Sequence, residues 1–311
     1  IFPYVITTPD TEQTVEASRN RLFTTILNQS DLALPDGIGI VLASRILKTE
    51  DGGQKVERLQ TQIPGVEFMQ DLVAIAAKKR VRIALIGGAP GVALKALECL
   101  KRTYPGLEGW VDEGPGIAVV HERTKNETRS AKHEERTTKQ DGSNFEFRIS
   151  DFNTISPSPD LKQWLARMAQ KMLDTGVGMV FVAYGAPKQE YIVDYLRQMI
   201  ENRSPSYAEA TAGRQKTEDG VQKMEYRKQR TETDNQLSVF HPQSSDPHPI
   251  ILMSVGGSFD MISGRLSRAP QYMRTLGLEW LYRLIQEPWR IKRQFDLVRF
   301  ILIVLKKRFS Q

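Results

Sequence analysis

Residues 80–105, RVRIALIGGAPGVALKALECLKRTYP, decide the fold. Val81 to Ile86 is an apolar run without strict alternation, the pattern of a strand covered on both faces in a parallel sheet. The turn Gly87-Gly88 follows, and a helix is predicted from about Gly91 to Arg102. Strand, glycine turn and helix in that order make half of a βαβ unit. The order recurs where Gly178 to Ala183 precedes YGAPKQEYIVDYLRQMI, and again where Ile250 to Val255 precedes GGSFDMISGRL. Three strands that each end in a glycine-containing turn predict an α/β fold with its ligands at the carboxyl ends of the strands.

The flanking segments fit that frame. Tyr4 to Thr8 reads as a short buried strand; Pro9 then turns the chain into a helix from about Thr11 to Asn28, with Asp10 and Gln13 placed as a helix start. DLALPDGIGIVLASRIL supplies a brief strand, a Pro-Asp-Gly turn and a helix. Phe68 to Lys79 and Asp160 to Asp174 are also predicted helices. Two stretches break the pattern: 122–148 and 203–235 each carry seven basic and six acidic side chains with few apolar ones. Neither can bury enough surface to offset the entropy of ordering, so both are expected as disordered insertions on loops. Residues 1–264 are expected to form the core and 265–311 a basic C-terminal appendage. There Met273, Leu276, Trp280 and Leu284 recur at helical spacing, Glu287-Pro288 allows a break, and Ile291, Phe295, Val298, Leu302 and Leu305 form a second apolar stripe.

Composition narrows the chemistry. With 311 residues, 40% hydrophobic and 26% charged, the chain can bury one large core or two modest ones. Cys99 is the only cysteine, which excludes an internal disulfide framework and thiolate clusters for zinc or iron and sulfur. The four histidines form no His-x-x-x-His pair, so neither a metalloprotease nor a histidine-rich metal site is expected. No apolar run approaches the roughly 20 residues that span a bilayer. The chain begins at Ile1 and not at Met, as expected of a sequence lacking its first residues. The net charge of +6 is uneven, because 265–311 carries 11 Lys or Arg against three acids. A nucleic acid, an anionic lipid surface or a phosphorylated substrate would each suit that basic segment.

Several residues are placed to carry chemistry. LIGGAPG is neither G-x-G-x-x-G nor a Walker A sequence. What remains is a set of backbone amides from Gly87 to Val92 holding a phosphate or a sugar hydroxyl, or else a tight strand-to-helix crossing with no ligand. Asp36 stands at a strand end, as a general base toward a sugar hydroxyl or as part of a common turn. Thr8 and Asp10 either converge on the same cleft or cap the following helix. Gln189 can donate and accept at a sugar or nucleobase, and Glu190 is favourable at a helix N-terminus with or without a function. Asp260 is a similar case. Arg283, Arg290 and Arg293 share a helical side if the chain stays helical past Pro288, an arrangement that suits either a diphosphate or a solvated face.

Taken in order, ITTPDTE, LPDGIGIVLASRIL, IPGVEFMQDL, IALIGGAPGVALKALECLKRTYPGL, VAYGAPKQEYI and SVGGSFDMISGRLSRAPQYMRTLGLEWLYRLIQEPWR resemble the WecG/TagA/CpsF glycosyltransferase family, also called glycosyltransferase family 26. With the final helix they cover nearly all of the chain outside the charged stretches. The resemblance implies a Rossmann-like core and an appendage that closes the site and docks on the cytoplasmic face of the bacterial membrane. It implies an inverting, metal-independent, cofactor-free transfer of N-acetylmannosamine, its uronic acid or a related sugar. The donor would be a UDP-sugar and the acceptor lipid-linked, typically undecaprenyl-diphospho-N-acetylglucosamine, in the synthesis of surface polysaccharide or teichoic acid linkage units. Carried over residue by residue, the family's strand-end contacts fall on Thr8 and Asp10, its proposed catalytic aspartate on Asp36, and its further contacts on Arg58 and Gln189. Its diphosphate-holding arginines fall on Arg283, Arg290 and Arg293, while Gly87 and Gly88 complete the candidate binding set. Asp10 replaces the usual asparagine, LQTQ lengthens the stretch after Arg58, and Glu67 stands where the family often has Asp.

On this reading Asp36 deprotonates the acceptor hydroxyl and the arginines meet the charge on departing UDP. Two other functions compete. A nucleic-acid-binding module would use the basic tail, but its cations alternate with an apolar stripe and no aromatic platform accompanies them, so no nucleic-acid partner is expected. An inactive relative in a membrane assembly would fail to bind UDP-sugar.

Overall fold

The computed structural model describes residues 3–47, 50–51, 54–55, 58–121, 145–150, 154–203, 249–275, 277–288 and 291–309. Eleven strands are described: β1 Pro3–Thr7, β2 Leu32–Ala33, β3 Glu50–Asp51, β4 Gln54–Lys55, β5 Arg82–Gly87, β6 Gly109–Asp112, β7 Ala118–His121, β8 Glu146–Ile149, β9 Ile155–Pro157, β10 Val177–Ala183 and β11 Ile250–Ser254. Six of them form one sheet in the order β2-β1-β11-β10-β5-β6, and every neighbouring pair is parallel. The three strands picked out by their glycine turns, β5, β10 and β11, are its centre. This is a parallel-sheet α/β core consistent with a Rossmann-like fold.

The helices α1 Thr11–Arg19, α2 Arg21–Asn28, α3 Ile38–Ile46, α4 Gly65–Lys79, α5 Val92–Thr103, α6 Pro159–Thr175 and α7 Lys188–Arg203 connect the strands. Side chains alternate across a strand, and here both faces are covered. Ala84, Ile86, Val180, Val182 and Leu252 pack with Leu165 of α6 and Leu196 of α7. Ile83, Leu85, Phe181 and Met253 pack with Met69 and Val73 of α4 and with Ala96 and Leu100 of α5. The continuous apolar runs of the sequence therefore serve two cores at once.

Three local expectations are corrected. The helix foreseen over 11–28 breaks at Asn20, whose side chain accepts from the Phe23 amide at 3.1 Å, capping α2, and donates to Tyr191 Oη at 3.0 Å. The helix foreseen from Tyr272 breaks at Gly277, whose φ of +71° suits glycine, and divides into Gln271–Thr275 and Glu279–Gln286. The stretch 122–148 does not run as an insertion to its end, since β8 pairs parallel with β7 and antiparallel with β9. Phe147 is fully buried there, with its ring centroid 5.6 Å from that of Tyr191. One large apolar side chain outweighs the charged neighbours, because β8 can alternate it inward. The rest of the two expected insertions, 122–144 and 204–235, lies outside the described residues.

The C-terminal helix Ile291–Phe309 buries Phe300 and Val304 against Val15 of α1 and Ala43 of α3. It leaves Phe295, Val298, Leu302 and Phe309 exposed. Among the described residues, no helix is long and apolar enough to cross a membrane. Glu67 at the start of α4 ties down the chain before this helix, accepting from Arg268 at 2.6 Å and from Arg274 at 3.1 Å. Such partly exposed pairs contribute about 1 kcal/mol or less. Glu67→Gln is therefore expected to leave the melting temperature nearly unchanged but to speed proteolytic cleavage between Arg265 and Gly277. Unaltered cleavage would show that the pairs do not hold the segment.

Candidate active site

The carboxyl ends of β1, β5, β10 and β11 open into one cavity of about 1070 Å³. At this place β5 leads outward to β6 while β10 leads back to β11, so the connections part, which is where open α/β sheets take ligands. Thr8, Asp10, Asp36, Gly88, Gln189 and Arg283 all line it. Folding thus brings together most of the residues that the sequence nominated.

Asp36 is fixed by the turn that contains it. Its amide donates to Pro9 O at 3.0 Å, and its Oδ2 accepts from the Gly65 amide at 3.4 Å. Burial is the main force on the carboxyl and lifts it from the ordinary 3.8 to about 7. The carboxylates of Asp10 and Glu279 add to the rise, while the Gly65 amide and the Arg283 guanidinium oppose it. A carboxyl with its midpoint near neutrality has the basicity that proton abstraction from a hydroxyl requires.

Asp10 fills both of the roles considered for it: its Oδ1 accepts from the Gln13 amide at 2.8 Å, capping α1, while the residue also faces the cavity. Thr8 is buried, with its hydroxyl 3.5 Å from Ser254 O. Gln189 is only 1% exposed and is used as a brace. Its Oε1 accepts from the Gly256 amide at 3.0 Å, holding the turn after β11, and its Nε2 donates to Glu190 Oε1 at 2.8 Å. Gln13 Nε2 reaches the same oxygen at 3.4 Å. Burial pushes Glu190 up to about 7, opposed by the hydrogen bond from Gln189. This Gln13–Glu190–Gln189 chain was missed at the sequence level, where Gln13 reads only as part of a helix start.

The glycine turn after β5 is a tight crossing. The Gly88 amide donates to Ala183 O at 2.7 Å, the Gly91 amide to Glu113 Oε1 at 2.6 Å, and the Val92 amide to Ala89 O at 2.9 Å. These three donors are engaged within the protein, while Gly88, Ala89 and Pro90 of the same turn border the cavity. Gly87, with φ of +88°, lies where a Cβ would run into the Tyr184 ring. Gly88 borders the cavity and Gly87 does not.

Arg283 projects from the helix Glu279–Gln286 to the turn after β11. Its guanidinium lies so close over Gly257 that a Cβ there would collide with it, and its Nε is 3.7 Å from Glu287 Oε2. Arg58 is exposed and lies away from the cavity lining. Arg290 and the Arg293 side chain lie outside the described residues. Among the described residues, no group of three or more His, Cys, Asp or Glu could hold a metal ion.

A model of the glycosyl transferase WecG/TagA/CpsF family matches residues 3–131 and 238–311. Two N-acetylglucosaminyldiphosphoundecaprenol N-acetyl-beta-D-mannosaminyltransferases are similar along their length. The one from Bacillus subtilis (strain 168) is 26% identical over 305 residues, covering 97% of this chain and 79% of the relative. The other, from Bacillus spizizenii (strain ATCC 23059 / NRRL B-14472 / W23), is 24% identical over 301 residues, covering 97% of this chain and 78% of the relative. With its parallel sheet, its strand-end cavity and the family match on both sides of the charged stretches, the chain belongs to the WecG/TagA/CpsF family and is a glycosyltransferase.

Proposed function

We propose that this enzyme transfers N-acetylmannosamine or a related sugar from a UDP-sugar to undecaprenyl-diphosphate-linked N-acetylglucosamine. The product would feed bacterial surface polysaccharide or a teichoic acid linkage unit. The observation that carries the reading is a carboxyl poised near neutrality, Asp36, in the same cavity as the Arg283 guanidinium. Asp36 takes the proton of the acceptor hydroxyl as that oxygen bonds to the anomeric carbon. The bond from that carbon to the UDP oxygen breaks on the opposite face, UDP leaves with the electron pair, and the sugar inverts. Arg283 meets the charge that develops on the leaving diphosphate, and Arg290 and Arg293 are proposed to join it. The carboxylates of Asp10 and Glu279 beside Asp36 disfavour a second anion, so the neutral sugar is preferred over its uronic acid. Transfer of sugar from a panel of UDP-sugars to a short-chain lipid diphosphate acceptor, with the linkage read by NMR, tests the reading. No transfer from any of them would overturn it.

The enzyme is further proposed to need no metal or other cofactor, so excess EDTA is expected to leave the rate unchanged. Gly257→Ala places a methyl group where the Arg283 guanidinium lies, on a backbone with φ of −88° that alanine adopts freely. A several-fold rise in KM for UDP-sugar with an unchanged melting temperature is expected. Unaltered kinetics would remove Arg283 from the donor site.

The enzyme is also proposed to sit peripherally on the cytoplasmic membrane face. Support comes from the exposed Phe295, Val298, Leu302 and Phe309, with Lys306, Lys307 and Arg308 in the last turn of the same helix. Cations near an anionic surface contribute about 1 kcal/mol each. Replacing the three by Gln should weaken sedimentation with anionic liposomes and leave transfer to a soluble acceptor intact.

A further inference from the structure

The cavity lining holds two groups of side chains of different chemistry. One holds Asp36, Asp10 and Arg283. The other, here called the apolar arm, comprises Ile38, Leu42 and Ile46 of α3, Trp280, and Ile301 and Leu305 of the C-terminal helix, which packs on α3 through Phe300, Val304 and Ala43. These six large apolar side chains are each between 37% and 49% exposed. The C-terminal helix ends in three consecutive cations, yet the residues it gives to the cavity, Leu297, Phe300, Ile301, Val304 and Leu305, are all apolar. Those given by α3 are apolar or glycine. A nucleobase or a sugar face would cover only part of so large an apolar wall, and contiguous apolar surface left open to water marks a binding site for apolar matter.

We propose that this arm, between α3 and the C-terminal helix, seats the first isoprene units of the acceptor's prenyl chain. The inference rests on the lipid-linked acceptor of the preceding section and adds where its tail goes. Such an acceptor has its reacting hydroxyl at one end and its hydrocarbon at the other, and the cavity lining offers a group of side chains suited to each. The helix Glu279–Gln286 contributes to both groups, because Trp280, Arg283 and Leu284 are three and four residues apart and share one face. The arm is distinct from the outward stripe of Phe295, Val298 and Leu302, so seating the tail and resting on a bilayer are separable.

The test uses three soluble acceptors, GlcNAc-diphosphate carrying a methyl, a geranyl or a farnesyl tail, each below its micelle concentration and with no membrane present. The quantity read is the ratio of KM for the methyl acceptor to KM for the farnesyl acceptor within each protein, so that a general loss of activity cancels. Burying apolar carbons of the tail is expected to make this ratio at least tenfold in the wild type. Leu42→Ser with Ile46→Ser, both on α3 and half exposed, is expected to bring it below about threefold. If the double variant is too poor a catalyst to measure, each single substitution is read in the same way and should lower the ratio by itself. An undiminished ratio in the variants, or a wild type that transfers sugar regardless of tail length, overturns the arm and leaves the functional reading standing. A wild type that transfers to none of the three acceptors overturns the functional reading itself.

Discussion

Asp36→Asn is expected to lower sugar transfer by a factor of about 10² to 10⁴ while leaving UDP-sugar binding largely intact. The amide has the shape of the carboxyl and can still accept from the Gly65 amide, but it cannot take up a proton. The same substitution should stabilise the protein at alkaline pH. The folded state holds the Asp36 proton to about 7, against 3.8 for an ordinary aspartate. The stability contributed by this group is therefore fully present below about 3.8 and is lost as pH rises through about 7. At pH 8 the wild type carries a buried carboxylate facing Asp10 and Glu279, and the variant does not. Its melting temperature should exceed the wild type's by several degrees at pH 8, with the gain shrinking toward pH 5. Wild-type turnover in Asp36→Asn would remove the residue from the mechanism. A lower melting temperature at pH 8 would show that the carboxylate is not strained.

Arg283→Ala is expected to reduce kcat by about 10² to 10³, the range for removing a donor aimed at transition-state charge, and to raise the KM for UDP-sugar as well. Arg283→Lys should recover only part of the loss, because an ammonium lacks the fork that grips two phosphate oxygens. Arg283 also lowers the Asp36 midpoint, so its removal should shift the pH dependence of the residual rate upward. Steady-state kinetics on a soluble acceptor check all three. An effect confined to liposome-borne acceptor would make this segment a membrane anchor and nothing more.

The legible part of the fold was the part fixed by local pattern. Val81 to Ile86 with its glycine turn is a strand and crossing whatever surrounds it, and β10 and β11 repeat it. The Pro-Asp-Gly turn placed Asp36 at a strand end and left its role open; the family resemblance singled it out as the proposed base, and the structure places it in the cavity lining. The breaks at Asn20 and Gly277 were not, since the apolar spacing continues through both and only tertiary partners, Tyr191 and Ile38, select the break. The bracing by Gln189, which also lines the cavity, was hidden for the same reason. An amide that looks available to a ligand is engaged by Gly256 and Glu190, and Gln13, which shares Glu190 with it, is 176 residues away in sequence. Phe147 lay hidden in a charged run, where averaging over the window concealed the one side chain that packs.

Two buried carboxyls have midpoints near 7: Asp36, which lines the cavity and is the proposed base, and Glu190, which does not line it and accepts from Gln189. The pH dependence of kcat/KM for transfer to a soluble acceptor, measured from pH 5.5 to 8.5 in the wild type, Asp36→Asn and Glu190→Gln, therefore bears most directly on the mechanism. The rate should rise through a single ionisation near pH 7 in the wild type. That rise should persist in Glu190→Gln and be absent from the residual activity of Asp36→Asn. A flat wild-type profile, or a rise that survives in Asp36→Asn and disappears in Glu190→Gln, would contradict the assignment of Asp36 as the base.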